Sequence, residues 1–153
     1  QLYFKQTKIR KFVLLMEIPD LLIESKIDRG VILHSTMFEN IDHGKFFVVG
    51  INADYVAGFF FINSNINIHI KDKQEQLDMQ YPLKKEDYSF LKYDSFLSAT
   101  RIEKIPRSKI VDTIHTGITN IIGTMKQEHM DELLEKARES ILFSKQQVKQ
   151  FLY

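Results

Sequence analysis

A small set of side chains in this sequence could do chemistry. His34, His43 and Glu103 can take or give a proton. Lys45 and Arg101 can hold negative charge, Lys45 as a compact point charge and Arg101 as a planar fork. Asn63, Ser64 and Asn65 form a run of small hydrogen-bonding groups directly after an aromatic segment. Each also has an ordinary reading. His34 follows three apolar residues as a strand-end residue, and His43 precedes Gly44 as turn chemistry. Lys45 opens a strand as a solvated charge, and Asn63-Ser64-Asn65 is turn-forming. Arg101 and Glu103, two apart on a strand, share a face and can simply pair.

The element that must position them is the stretch from Gly44 to Ser64. Runs of β-branched and aromatic residues flank Asn52-Ala53-Asp54, the pattern of a β-hairpin. Neither run alternates cleanly, so both faces are expected to be covered, as in a small barrel. Asn63 and Ser64 would then sit at the rim of a rigid strand, where sites are commonly built. Val31–His34 is a strand candidate, and so is the alternating segment Ile66–Ile70. Lys71 to Gln80 is charged and amide-rich, an exposed turn or insertion. Phe90–Leu97, Ala99–Ile105 and Ile110–Ile114 read as further strands, with Pro106 ending the second. Thr124 with Gln127 three residues on has capping-box spacing. Met130, Leu133, Leu134, Ala137 and Ile141 follow at helical spacing. The fold class expected is β-rich α+β: a small barrel of about five to seven strands with a C-terminal helix.

Whole-chain numbers exclude several classes. The chain has 153 residues, 44% of them hydrophobic, which fits one globular domain. Net charge is +1, so bulk charge favours no polyanionic partner. There is no cysteine, hence no thiol nucleophile, disulfide or cysteine zinc site, and a reducing cytoplasm fits. No metal-ligand spacing and no glycine-rich phosphate loop is present, so no cofactor is expected. Phe59-Phe60-Phe61 is either a base-stacking platform or strand core. No apolar run reaches membrane-spanning length. Lys5, Lys8, Arg10 and Lys11 precede a short apolar run without a cleavage site, so no export is expected. Residues 1–15 read as a tag or upstream extension before Met16, residues 16–142 as barrel and helix, and 143–153 as a helical tail.

Three segments carry a resemblance. They are Arg29–His34 with Gly44–Val49 after a loop, Arg101–Ile110 as a charged strand and connector, and Ile122–Met130 as a helix entry. Together they resemble the PemK/MazF-like toxin family over roughly residues 29–141. The resemblance implies an SH3-like barrel and a toxin-type, metal-independent endoribonuclease acting on single-stranded RNA. Lys45 stands where that family has an arginine, Ser64 matches its third-strand Ser or Thr, and Thr100 stands near its acid. Such cleavage uses the 2′-hydroxyl as nucleophile and needs a base, a cation for the phosphorane and an acid for the leaving oxygen. The resemblance therefore implies catalytic roles among His34, Lys45, Ser64, Arg101 and Glu103, with Asn63, Asn65, His43 and Lys45 on the RNA. It also implies a homodimer and an antitoxin protein as partners. The alternative is a catalytically inactive member of the same fold that binds a protein or nucleic acid.

Overall fold

The computed structural model describes residues 18–38, 43–50 and 56–153. Its centre is one six-stranded sheet made of β1 (Val31–Ser35), β2 (Lys45–Val49), β3 (Val56–Asn63), β4 (Gln80–Leu83), β5 (Ser95–Pro106) and β6 (Thr119–Thr124). Every neighbouring pair is antiparallel, in the order β4-β5-β3-β2-β1-β6. The helices are α1 (Ile18–Glu24), α2 (Gln74–Leu77), α3 (Arg107–His115), α4 (Gln127–Glu139) and α5 (Lys145–Phe151), with a 3₁₀ turn at Ile68–Ile70.

The hairpin of β2 and β3 pairs as its sequence suggests, Phe46 with Ile62 and Val49 with Phe59. Its turn and residues 1–17 lie outside the described residues. Both faces of β2 are buried. Val48 packs with Phe60, Ile62 and the α4 residues Met130, Leu133 and Leu134. Phe47 and Val49 pack on the other side with Ile110 and Val111 of α3 and Ile23 of α1. The sheet is open, with β4 and β6 at its edges, and not the closed SH3-like barrel expected. Continuous apolar runs report only that both faces are covered. Here helices cover them, and barrel closure is not what buries the second face.

Several segments depart from their expected form. Ile110–Ile114 is helical, because Ile110, Val111 and Ile114 share the inner stripe of α3 and Pro106 precedes its first turn. Ile66–Ile70 is no strand. The Asn67 side chain accepts the His69 N–H at 2.9 Å and closes a tight turn, leaving Ile68 exposed. Thr124 does not cap α4, because it is paired with Val31 at the end of β6. The helix begins at Gln127, and the Lys126 N–H donates instead to the Tyr88 hydroxyl at 3.1 Å. A capping box does occur, from Ser144 to Gln147 at the start of α5. That helix seats Phe151 and Leu152 in the protein interior.

Candidate functional site

The antiparallel register gathers strand ends. Ser35 pairs with Lys45, Phe46 with Ile62, and Asn63 with Phe96. The end of β1, the start of β2, the end of β3 and the start of β5 therefore meet at one end of the sheet. A cavity of about 550 Å³ opens there, within the range of ligand sites. Six residues singled out in the sequence line it: His34, His43, Lys45, Asn63, Ser64 and Asn65. No carboxylate lines it among the described residues.

His34 is half-buried. Its ring sits 4.6 Å from that of Phe46, tilted by 54°. Gly44 makes room for it, since a Cβ there would lie 2.0 Å from His34 Cε1. The Lys45 ammonium donates to Asn63 Oδ1 and lies 5.4 Å from the centroid of the Phe61 ring. Burial holds its affinity for a proton below that of a solvated lysine, so it gives one up more readily. An ammonium can only donate, so this bond fixes the Asn63 amide with Oδ1 toward Lys45. The Asn63 Nδ2 protons are then left for another acceptor. Ser64, Asn65 and His43 are exposed at the mouth.

The sequence reading missed part of this wall. Phe90, Leu91, Lys92 and Tyr93 line the cavity from a loop. Phe90–Leu97 was expected to be strand throughout, but β5 starts only at Ser95. The Leu91 N–H returns to the Tyr88 carbonyl at 3.0 Å, and Asp94 accepts the Lys85 N–H at 2.9 Å. These bonds turn the segment before β5. Phe90 then lies 4.9 Å from the ring of Phe46, and Tyr93 stands exposed at the rim. The cue available in the sequence was Asp94-Ser95, a turn-forming pair inside the apparent strand.

Arg101 and Glu103 are placed differently. They pair with each other at 2.5 Å, the ordinary reading of their spacing, and Arg101 is largely exposed. Both line a second cavity of about 470 Å³. Asn63 belongs to both cavities, so the two adjoin across the end of β3. β5 is irregular here. Between the Phe59–Glu103 and Phe61–Ser98 pairs, residues 99–102 are matched by Phe60 alone. That excursion carries Thr100 and Arg101 to the second cavity, a common use of bulges beside sites.

The first cavity can bind an anion and move protons. Lys45, the Asn63 amide and Ser64 supply donors, two imidazoles supply proton transfer, and Phe90 and Tyr93 offer aromatic faces. Among the described residues no cluster of three His, Asp or Glu side chains is arranged to hold a metal ion. No helix among them is long and apolar enough to cross a membrane. No protein-family model matches the chain, and no curated protein matches it.

Proposed function

We propose that this protein is a metal-independent endoribonuclease of the toxin type, cleaving single-stranded RNA at the cavity formed by the ends of β1, β2 and β3. The observation that carries the reading is the meeting of two histidines, Lys45, Asn63 and Ser64 in one cavity free of described carboxylates. Lys45 and the Asn63 Nδ2 group hold the scissile phosphate, and Ser64 donates to it. His34, fixed by Phe46, takes the 2′-hydroxyl proton as that oxygen bonds to phosphorus. His43 gives a proton to the departing 5′ oxygen as the P–O5′ bond breaks. The products are a 2′,3′-cyclic phosphate and a 5′-hydroxyl. Tyr93 and Phe90 stack unpaired bases. On the same reading the protein acts in the cytoplasm as a homodimer restrained by an antitoxin protein.

Incubation with a long single-stranded RNA in EDTA tests this. The parent should yield cyclic-phosphate ends, and Lys45→Ala should slow cleavage by about 10²–10³-fold, the usual effect of losing a transition-state charge partner. A combined Lys45→Ala, Ser64→Ala variant should be inactive while keeping its unfolding midpoint. RNA left intact by the parent at high protein concentration removes the enzyme reading. The second reading, a silent binding module, is favoured by the cations already engaged: Lys45 by Asn63 and Arg101 by Glu103. It predicts RNA or protein binding at the same cavity with no cleavage by the parent.

A further inference from the structure

Cations also gather at the opposite end of the sheet from the Lys45 cavity. Arg29 stands just before β1, and its Nε donates to the carbonyl of Gly50, just after β2, at 3.2 Å. Its Nη2 donates to the main-chain oxygen of Tyr153 at 2.9 Å. One residue back, the Leu152 carbonyl accepts Arg138 Nε at 2.8 Å. Two guanidinium groups far apart in sequence thus converge on consecutive main-chain oxygens. Burial first, and then the charge of Arg138, holds the proton affinity of Arg29 below that of a solvated guanidinium. Beside them a cavity of about 290 Å³ opens between the end of α4 and α5, at the small end of the range for ligand sites. Arg138, Lys145 and Lys149 line it, and no carboxylate does among the described residues.

Lys145 and Lys149 lie one turn apart on α5 and share a face. Among the described residues none of the three cations is in an ion pair. From Ser140 to Tyr153 the sequence holds no Asp or Glu. The Arg138 guanidinium is held by its bond to Leu152 and by the Tyr153 ring, whose centroid lies 4.7 Å from Cζ. Both of its Nη groups make no hydrogen bond among the described residues, so they remain to donate as a fork. Three cations without an acid around a small cavity complement a compact anion of more than one charge. A phosphomonoester carries about −1.5 to −2 at pH 7, and a phosphate inside a strand carries one charge. We propose that this cavity binds a terminal phosphate group, with Arg138 as the bidentate donor and Lys145 and Lys149 as charge partners. A small phosphorylated molecule and a phosphorylated RNA end present the same group. The site lies apart from the candidate cleavage cavity and does not depend on cleavage.

Calorimetric titration with inorganic phosphate at constant ionic strength tests this. The parent and Lys45→Ala, Ser64→Ala, which lacks anion donors of the other cavity, should both bind. Arg138→Gln should weaken binding about tenfold or more, the loss of a charged hydrogen bond. Arg138→Lys, which keeps the charge and loses the fork, should recover only part of it. Lys145→Gln, Lys149→Gln should weaken binding several-fold. Both lysines are exposed, so that variant reports even if the Arg138 variants are unstable. Matched oligonucleotides with and without a 5′-phosphate then separate the two sources. Tighter binding of the phosphorylated strand, lost in Lys145→Gln, Lys149→Gln, assigns the group to an RNA end. Equal binding of the two strands by a protein that binds inorganic phosphate assigns it to a small molecule. The inference is overturned if the parent binds no phosphate, if the Arg138 and lysine variants bind it in full, or if binding vanishes in Lys45→Ala, Ser64→Ala. Phosphate binding here by a protein that leaves RNA intact retains this site and overturns only the cleavage reading.

Discussion

Glycine at position 44 shows how one residue governs the candidate site. Its missing side chain is filled by the His34 imidazole, and a Cβ would meet His34 Cε1 at 2.0 Å. Gly44→Ala should therefore displace the ring without disturbing the core. RNA cleavage should drop about as far as in His34→Ala, by roughly 10²–10⁴-fold. The double variant should lose no more than either single one, because both changes remove the same group. Kinetics of the three variants check this, and additive losses would separate Gly44 from His34. Lys45 illustrates the opposite case. Its type and position could be read in the sequence, but its bond to Asn63, 18 positions away, and the burial that loosens its proton arise only in the folded chain.

Among the elements, α4 depends on a distant tyrosine. Tyr88 accepts the Lys126 N–H at the helix start and lies 2.7 Å from His129 Nδ1. Tyr88→Phe should cost about 1–2 kcal/mol at neutral pH, the value of a lost, largely buried hydrogen bond. Burial raises the proton affinity of Tyr88 above the ordinary phenol value of 10.0. Burial, followed by the bond to Glu132, does the same to Tyr81. The folded state thus keeps these protons to higher pH than the unfolded chain does. Their contribution is complete below about pH 10 and is lost as pH rises above it. Urea-unfolding midpoints should hold up to about pH 10 and fall as pH rises beyond it, and Tyr88→Phe should show a smaller fall than the parent. A second tie joins α1 to α3. Arg107 Nε meets Glu24 Oε1 at 2.5 Å and its Nη2 donates to the Ile27 carbonyl at 2.6 Å, with only 10% of the arginine side chain exposed. Arg107→Met leaves Glu24 buried without its partner and should destabilise by about 3–5 kcal/mol. Glu24→Leu in the same chain should recover much of that loss in denaturant unfolding.

At the scale of the whole molecule, the net charge of +1 provides almost no general field for RNA. Lys45, Lys92 and Arg101 line the two cavities, and on the proposed RNA reading they should set the salt dependence. With about 0.7 of a unit per phosphate contact on a single strand, log affinity against log salt should have a slope near −2. Anisotropy titrations of a deoxy-substituted, uncleavable oligonucleotide give that slope. A value near zero would mean that these cations touch no phosphate.

Local pattern determined several features of this protein. The β2–β3 hairpin, the covering of both its faces, the inner stripe of α4 from Met130 to Ala137 and the polar end of β3 follow from side-chain type and spacing, which act over a few residues; Ile141, expected to continue that stripe, lies past the helix end at Glu139 and is exposed. Tertiary structure alone decided what covers those faces. A run such as Phe47-Val48-Val49 demands burial on two sides and is silent about the cover, so helices and barrel closure satisfy it equally. Tertiary pairing also overrode Thr124 as a cap, since its place beside Val31 commits it to β6. The wall of Phe90 to Tyr93 and the separation of Arg101 and Glu103 into a second cavity depend on register between strands far apart in the chain. Long-range hydrogen bonding fixes that register, and no short window of sequence contains both partners.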